Sequence, residues 1–165
     1  LLPWLSLGAN VHAATETLAE GASYKAFSGD LFLMGHMDSF KFAAGVVSLG
    51  TPVKSSTGAS YNLPSSVKLA GGYEDSFGGI SCAVYTDLDY FFLASGFSAA
   101  VGAELGWDEI ASLRAGYHFA SKNTPVPNYF SAGLGGRLLG FSLDAAVLLG
   151  GQLSGTVLVT LGYGF

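Results

Sequence analysis

His12, His36 and His118, the single Cys82 and a scatter of carboxylates are the residues through which this chain could act as an enzyme or a metal protein. Their spacing argues otherwise. There is no His-Glu-x-x-His pair and no Cys–His cluster, so no metal site is expected. A Ser–His–Asp arrangement is compatible with the composition, but nothing marks a nucleophile. Gly71-Gly72-Tyr73 and Gly133-Leu134-Gly135-Gly136 lie inside strand patterns, not between a strand and a helix. They are therefore expected to allow tight packing in a curved sheet and not to cradle phosphate. Cys82 can form no disulfide within the chain, and it shares parity with Ile80 and Val84, as a small apolar residue would. The expectation is a protein that is not an enzyme, uses no cofactor and acts by binding.

The charged residues say more. Asp30, Lys41, Lys68, Glu104, Arg114, Arg137 and Asp144 each fall mid-strand, on the parity opposite the neighbouring apolar residues. An Arg or Lys turned to lipid at the bilayer midplane costs about 2–4 kcal/mol. Turned into a lumen, the same residues can pair with each other or keep water. Both signs occur, which favours a structural ion-pair network bracing a barrel interior. A selectivity lining for a pore is the sharper alternative.

Those positions presuppose strands. The clearest is the last, Thr156 to Phe165, where Val157, Val159, Leu161, Tyr163 and Phe165 share one parity. Thr156, Thr160, Gly162 and Gly164 share the other, and only Leu158 breaks the pattern. A period of two marks a strand with one apolar face. A length of about ten residues suits a tilted strand crossing a bilayer, with aromatics at the interface. Similar alternation predicts ten strands, near residues 3–14, 24–35, 39–50, 66–75, 78–88, 97–107, 110–120, 128–137, 140–149 and 154–165. Tight turns are expected at His36–Ser39, Glu74–Phe77, Trp107–Glu109 and Leu138–Gly140. Longer links are expected at Thr15–Ser23, Thr51–Ser65, Leu88–Gly96, Ser121–Pro127 and Gly150–Leu153. Short turns on one side and long links on the other is the outer-membrane pattern, and Phe165 falls on the short-turn side.

Composition agrees. Hydrophobic residues make up 50% of the chain, mean hydropathy is +0.44 and only 12% of residues are charged. Yet no run approaches the roughly 18 apolar residues of a helical span. High hydropathy without such a span is what an apolar outer face and a small, polar inner face average to. A very apolar soluble β-sandwich is the alternative. A net charge of −5 and a pI near 4.9 argue against nucleic acid as a partner. No signal peptide pattern opens the sequence. The expectation is that residues 1–165 are the C-terminal part of a longer chain.

Several segments together resemble a known family. Gly102-Ala103-Glu104-Leu105-Gly106-Trp107, then Leu113-Arg114-Ala115-Gly116-Tyr117, is similar to the paired "GAE-x-W … LRAGY" strands of PorV/PorQ proteins. Ala26 to Leu31, Leu63 to Tyr73, and Ser131 to Gly135 with Phe141 to Asp144 resemble further strands of that family in the same order. Gly106 and Ala145 depart from it, standing where aromatics are common. The resemblance implies an all-β fold: an antiparallel, up-and-down transmembrane barrel of the FadL-like superfamily, about ten strands here out of about fourteen. It also implies a bacterial outer-membrane component of the type IX protein secretion system. Such a component binds translocon subunits and secreted cargo proteins and shuttles the cargo to surface attachment. Uptake of hydrophobic small molecules by a FadL-like transporter or pore is the alternative. The candidate partner-binding segment is the Ser-, Thr-, Gly- and Pro-rich stretch with Thr51, Lys54, Tyr61 and Asn62.

Overall fold

Strict alternation along successive segments leaves each segment no stable partner except another strand with the same two faces. The computed structural model describes residues 2–17, 23–56, 58–124, 126–151 and 154–164. Phe165 and part of the Thr15–Ser23 and Gly150–Leu153 links lie outside the described residues. Within them the chain forms β1 (Leu5–Thr17), β2 (Ser23–Met37), β3 (Phe40–Ser55), β4 (Ser60–Tyr61), β5 (Ser66–Phe77), β6 (Ile80–Phe91), β7 (Gly96–Trp107), β8 (Ala111–Ala120), β9 (Tyr129–Leu138), β10 (Phe141–Leu149) and β11 (Thr156–Tyr163). All join one antiparallel sheet in meander order, β1-β2-β3-β5-β6-β7-β8-β9-β10-β11, with the short β4 pairing β3 off that path. No α-helix occurs among the described residues. Neither does a second sheet, so the packed sandwich is not the architecture. β1 and β11 are the two edges and do not pair with each other, so the sheet is open.

The ten expected strands all form, and several ends move. Glu74 to Phe77 belong to β5, and the turn falls at Gly78-Gly79, where both residues take positive φ. Twin positive φ values suit a two-residue hairpin whose twist matches the flanking strands. β6 runs on to Phe91, because Tyr90 pairs with Phe97 and Phe91 with Gly96. β3 runs on to Ser55, drawn out by the length of β2, whose Tyr24 pairs with Ser55. Thr51 and Lys54 are thus strand residues and not loop residues. The short connections, residues 38–39, 78–79, 108–110 and 139–140, lie together on one side of the sheet.

The pairing register tilts the strands. A ladder begins at Leu5 beside the short-turn rim, passes through Phe42, Thr86 and Tyr117, and ends at Leu149 on the opposite rim. A line straight across the strands therefore climbs by about one residue per strand. With a rise of about 3.3 Å and a spacing of about 4.8 Å, that stagger is a tilt of about 35°, within the range of closed barrels.

The sheet has no core of its own. No hydrophobic side chain among the described residues is buried. The accessible surface is 11303 Å² for 17.0 kDa, where a folded monomer of that mass exposes about 7,700 Å².

Two irregularities interrupt the β2–β3 ladder, one opposite Ala26 and one opposite Asp30. Val46 pairs with Leu31 and Leu49 with Gly29, so Val47 and Ser48 together face Asp30 in a β-bulge. Ser48 takes φ of 55° and donates its amide to Asp30 Oδ1 at 2.8 Å. A left-handed backbone favours glycine and resists β-branching. Ser48→Gly should therefore leave the urea midpoint of the folded protein unchanged or higher, while Ser48→Val should cost at least about 1 kcal/mol. Equal midpoints for the two variants would show that the bulge is not strained.

Candidate functional site

Because opposed residues in an antiparallel ladder share a face, the register sorts every side chain. One face carries Leu7, Val11, Leu31, Phe42, Leu69, Val84, Val101, Leu105, Leu113, Leu134, Phe141, Leu143, Val157 and Leu161, all exposed. Tyr117 lies on this face too, half-buried against the Phe130 ring at 4.4 Å. From β1 to β11 only Lys25, its ladder partner Lys54, and Asp75, all near strand ends, put a charge on it.

The opposite face holds Gly, Ala and Ser with the ion pairs set among them. Lys41 Nζ lies 2.6 Å from Glu74 Oε1, and Lys68 Nζ lies 2.6 Å from its ladder partner Asp89. Asp30 accepts from His12 Nε2 at 2.8 Å, assigning the proton to that nitrogen. Arg114 Nε bonds Glu104 directly across the β7–β8 ladder, and its Nη1 reaches Asp144 Oδ1 at 2.5 Å on β10.

That last bond spans a whole intervening strand, β9, and Gly135 makes it possible. A Cβ at Gly135 would stand 2.7 Å from Asp144 Oδ1 and would collide with Ser112 Oγ. The missing side chain is the gap through which guanidinium and carboxylate meet. This gives the Gly133–Gly136 stretch its physical purpose.

All seven residues expected on the inner face are thus on one face. Six of them pair: Asp30, Lys41, Lys68, Glu104, Arg114 and Asp144. Arg137 stands opposite Ser142 and borders the same small hollow as Glu104, Arg114 and Asp144, without an ion pair among the described residues. Glu74, Asp89 and His12 complete the network; none was expected in it from sequence, where His12 stood only as a candidate for chemistry. Parity alone could have found them, but Glu74 sat at an expected turn and Asp89 beyond an expected strand end. His118 serves locally, donating Nδ1–H to the Pro127 carbonyl at 3.1 Å and stacking on Tyr129. Of the candidate partner segment, Tyr61 is exposed in β4 opposite Val53, and Asn62 follows it outside any strand.

The charged face is the concave one. A hollow of about 570 Å³ is bordered at once by Ser6 on β1 and by Tyr85 and Asp87 on β6, so the strands between must curve around it. No cluster of three or more His, Cys, Asp or Glu side chains positioned to hold a metal ion occurs among the described residues. In comparisons with known proteins, no family model matches the chain and no curated protein matches it. Glu104, Arg114 and Asp144 form a triad drawn from three strands, β7, β8 and β10.

The triad can be tested for cooperation. Its side chains are more than a third exposed, so solvent screens it and each pair should contribute about 0.5–1 kcal/mol. A double-mutant cycle of Arg114→Met and Asp144→Asn, read by urea unfolding, should return a coupling of that size. Repeating the cycle with Gly135→Ala should abolish it. A coupling that survives the alanine would mean that β9 imposes no steric gate.

Proposed function

We propose that this chain is wall material of a bacterial outer-membrane β-barrel, with its apolar face against lipid and its charged face lining the lumen. We further propose that the barrel serves type IX protein secretion, binding translocon subunits and secreted cargo at its long-link rim. The observation that carries the first part is the single apolar face bordered by aromatics at both ends. Phe40, Tyr73, Phe77, Trp107, Phe141 and Tyr163 stand towards the short-turn rim, and Tyr90, Phe97, Tyr117, Phe119 and Phe130 towards the other. At about 3.3 Å per residue and a tilt of about 35°, the stretch from Phe97 to Trp107 stands about 27 Å tall, close to the apolar band of outer-membrane barrels.

Edges such as β1 and β11 template aggregation when left bare. In a complete barrel, further strands would cover them. The secretion role rests on the resemblance and on the convergence of Glu104, Arg114 and Asp144 in one network. It also draws on the placement of the longer links on one rim, since rims of rigid scaffolds carry binding residues. A FadL-like transporter is the second reading, favoured by the apolar lining that Met34, Ala43 and Ala70 give the 570 Å³ hollow.

Trp4 and Trp107, the two tryptophans of the chain, both lie near the short-turn rim. In vesicles containing the full-length protein, lipids brominated near the headgroup should quench their fluorescence more than lipids brominated near the chain ends. Absence of quenching, or stronger quenching from the deep label, would sink the membrane reading. Val101→Arg, in the middle of the apolar face, should cost about 2–4 kcal/mol of folding stability in those vesicles. A photocrosslinker at Tyr61 should capture a translocon subunit or secreted cargo in cells. Capture of no protein, with apolar solute uptake intact, would move the assignment to transport.

A further inference from the structure

The register aligns one row of side chains across the concave face: Ser6, Met34, Ala43, Ala70, Asp87 and Ala100. Asp87 is the only charge in that row. Alanine flanks it on both neighbouring strands, and among the described residues it has no ion-pair partner. Two bases border the same hollow, Lys41 and His36. The Lys41 ammonium is taken by Glu74, His36 has no ion pair among the described residues, and Lys68 and Arg114 are committed to Asp89 and to Glu104 and Asp144. Two residues before Asp87 on the same face is Tyr85, whose ring occupies the space over Gly72, where a Cβ would come within 2.7 Å of it. Tyr85 and Asp87 together close one wall of the 570 Å³ hollow, and Met34, Ala43 and Ala70 give it an apolar floor.

An unneutralised carboxylate, an aromatic ring and an apolar floor around a hollow of this size select a definite ligand chemistry. The carboxylate attracts a positive charge. The ring quadrupole attracts the same sign. The floor rewards burial of hydrocarbon. An anion would meet an uncompensated like charge.

We infer that this hollow binds an organic cation with an apolar body, an alkylammonium in which Asp87 and Tyr85 hold the charged head and Met34, Ala43 and Ala70 take the chain. The inference rests on the reading of the concave face as an open lumen. Hexyltrimethylammonium is the probe, with heptanoate as an anion of similar length, titrated calorimetrically into the full-length protein in neutral maltoside micelles. The cation should bind saturably and heptanoate at least about tenfold more weakly. Asp87→Asn should weaken the cation about tenfold and Tyr85→Leu about fivefold, with Tyr85→Phe close to the parent because the ring remains. Equal affinity for heptanoate, or an unchanged affinity in Asp87→Asn, overturns the site. No saturable binding by protein whose tryptophans still report bilayer insertion also overturns it, and leaves the barrel reading standing. Selective cation binding by protein that fails the quenching test keeps the site and removes the lumen around it.

Discussion

A sheet that buries no hydrophobic side chain cannot be held together by a core, and everything else in this chain follows from that. The backbone ladder satisfies its own hydrogen bonds from β1 to β11, with β4 paired beside β3, but the apolar face gains nothing until something apolar covers it. Ten principal strands at about 4.8 Å spacing make that face more than about 40 Å wide and, at a height of about 27 Å, on the order of 1,000 Å² in area, beyond the few hundred Å² a soluble monomer tolerates. Hydrocarbon is a covering that needs no second layer of protein. Strands are admissible there only when every backbone group is paired within the sheet, a condition that the interior strands already meet.

The concave face solves a different problem. Small residues let neighbouring strands curve, and Lys41, Lys68 and Arg114 are each set where a carboxylate of the next strand, or of the next but one, can reach them. Pairs this exposed to water are weak individually. Their number matters less than their placement, since with lipid against the other face an unpaired Arg or Lys slipping there would cost several times as much. Pairing thus guards the register: a one-residue slip would send Lys68, Arg114 and Asp144 into the apolar layer together.

Much of this could be read from the residues. The alternation of Phe97, Ala99, Val101, Ala103 and Leu105 with small or charged neighbours fixed both strand and face, because a period of two has no other stable use. Strand ends were harder. Alternation fades where both faces become polar, so Glu74 and Asp89 fell at or beyond expected boundaries although they belong to the same face as Lys68. Partnership was out of reach altogether. That Arg114 meets Asp144 depends on a register between strands separated by Gly135, and that Asp87 lacks a partner depends on alanines from two other strands. Neither relation is local in sequence. The reach of β3 through Thr51 and Lys54 was hidden for a similar reason: the length of β2 decides it, and the Ser- and Pro-rich composition of the segment points the other way.

The stagger of about one residue per strand carries a dimensional consequence. In a closed cylinder, circumference is strand count times spacing divided by the cosine of the tilt, so each strand adds about 1.9 Å to the diameter. Ten strands would close at about 19 Å, and four more would widen the ring to about 26 Å by the same relation. β1 and β11 run in opposite directions, so only whole hairpins can be inserted between them. The bore of any cylinder closed from this sheet would therefore be quantised. Gene segments encoding a hairpin would be the natural unit by which such a wall is enlarged or narrowed, with the ladder from Leu5 to Leu149 left untouched.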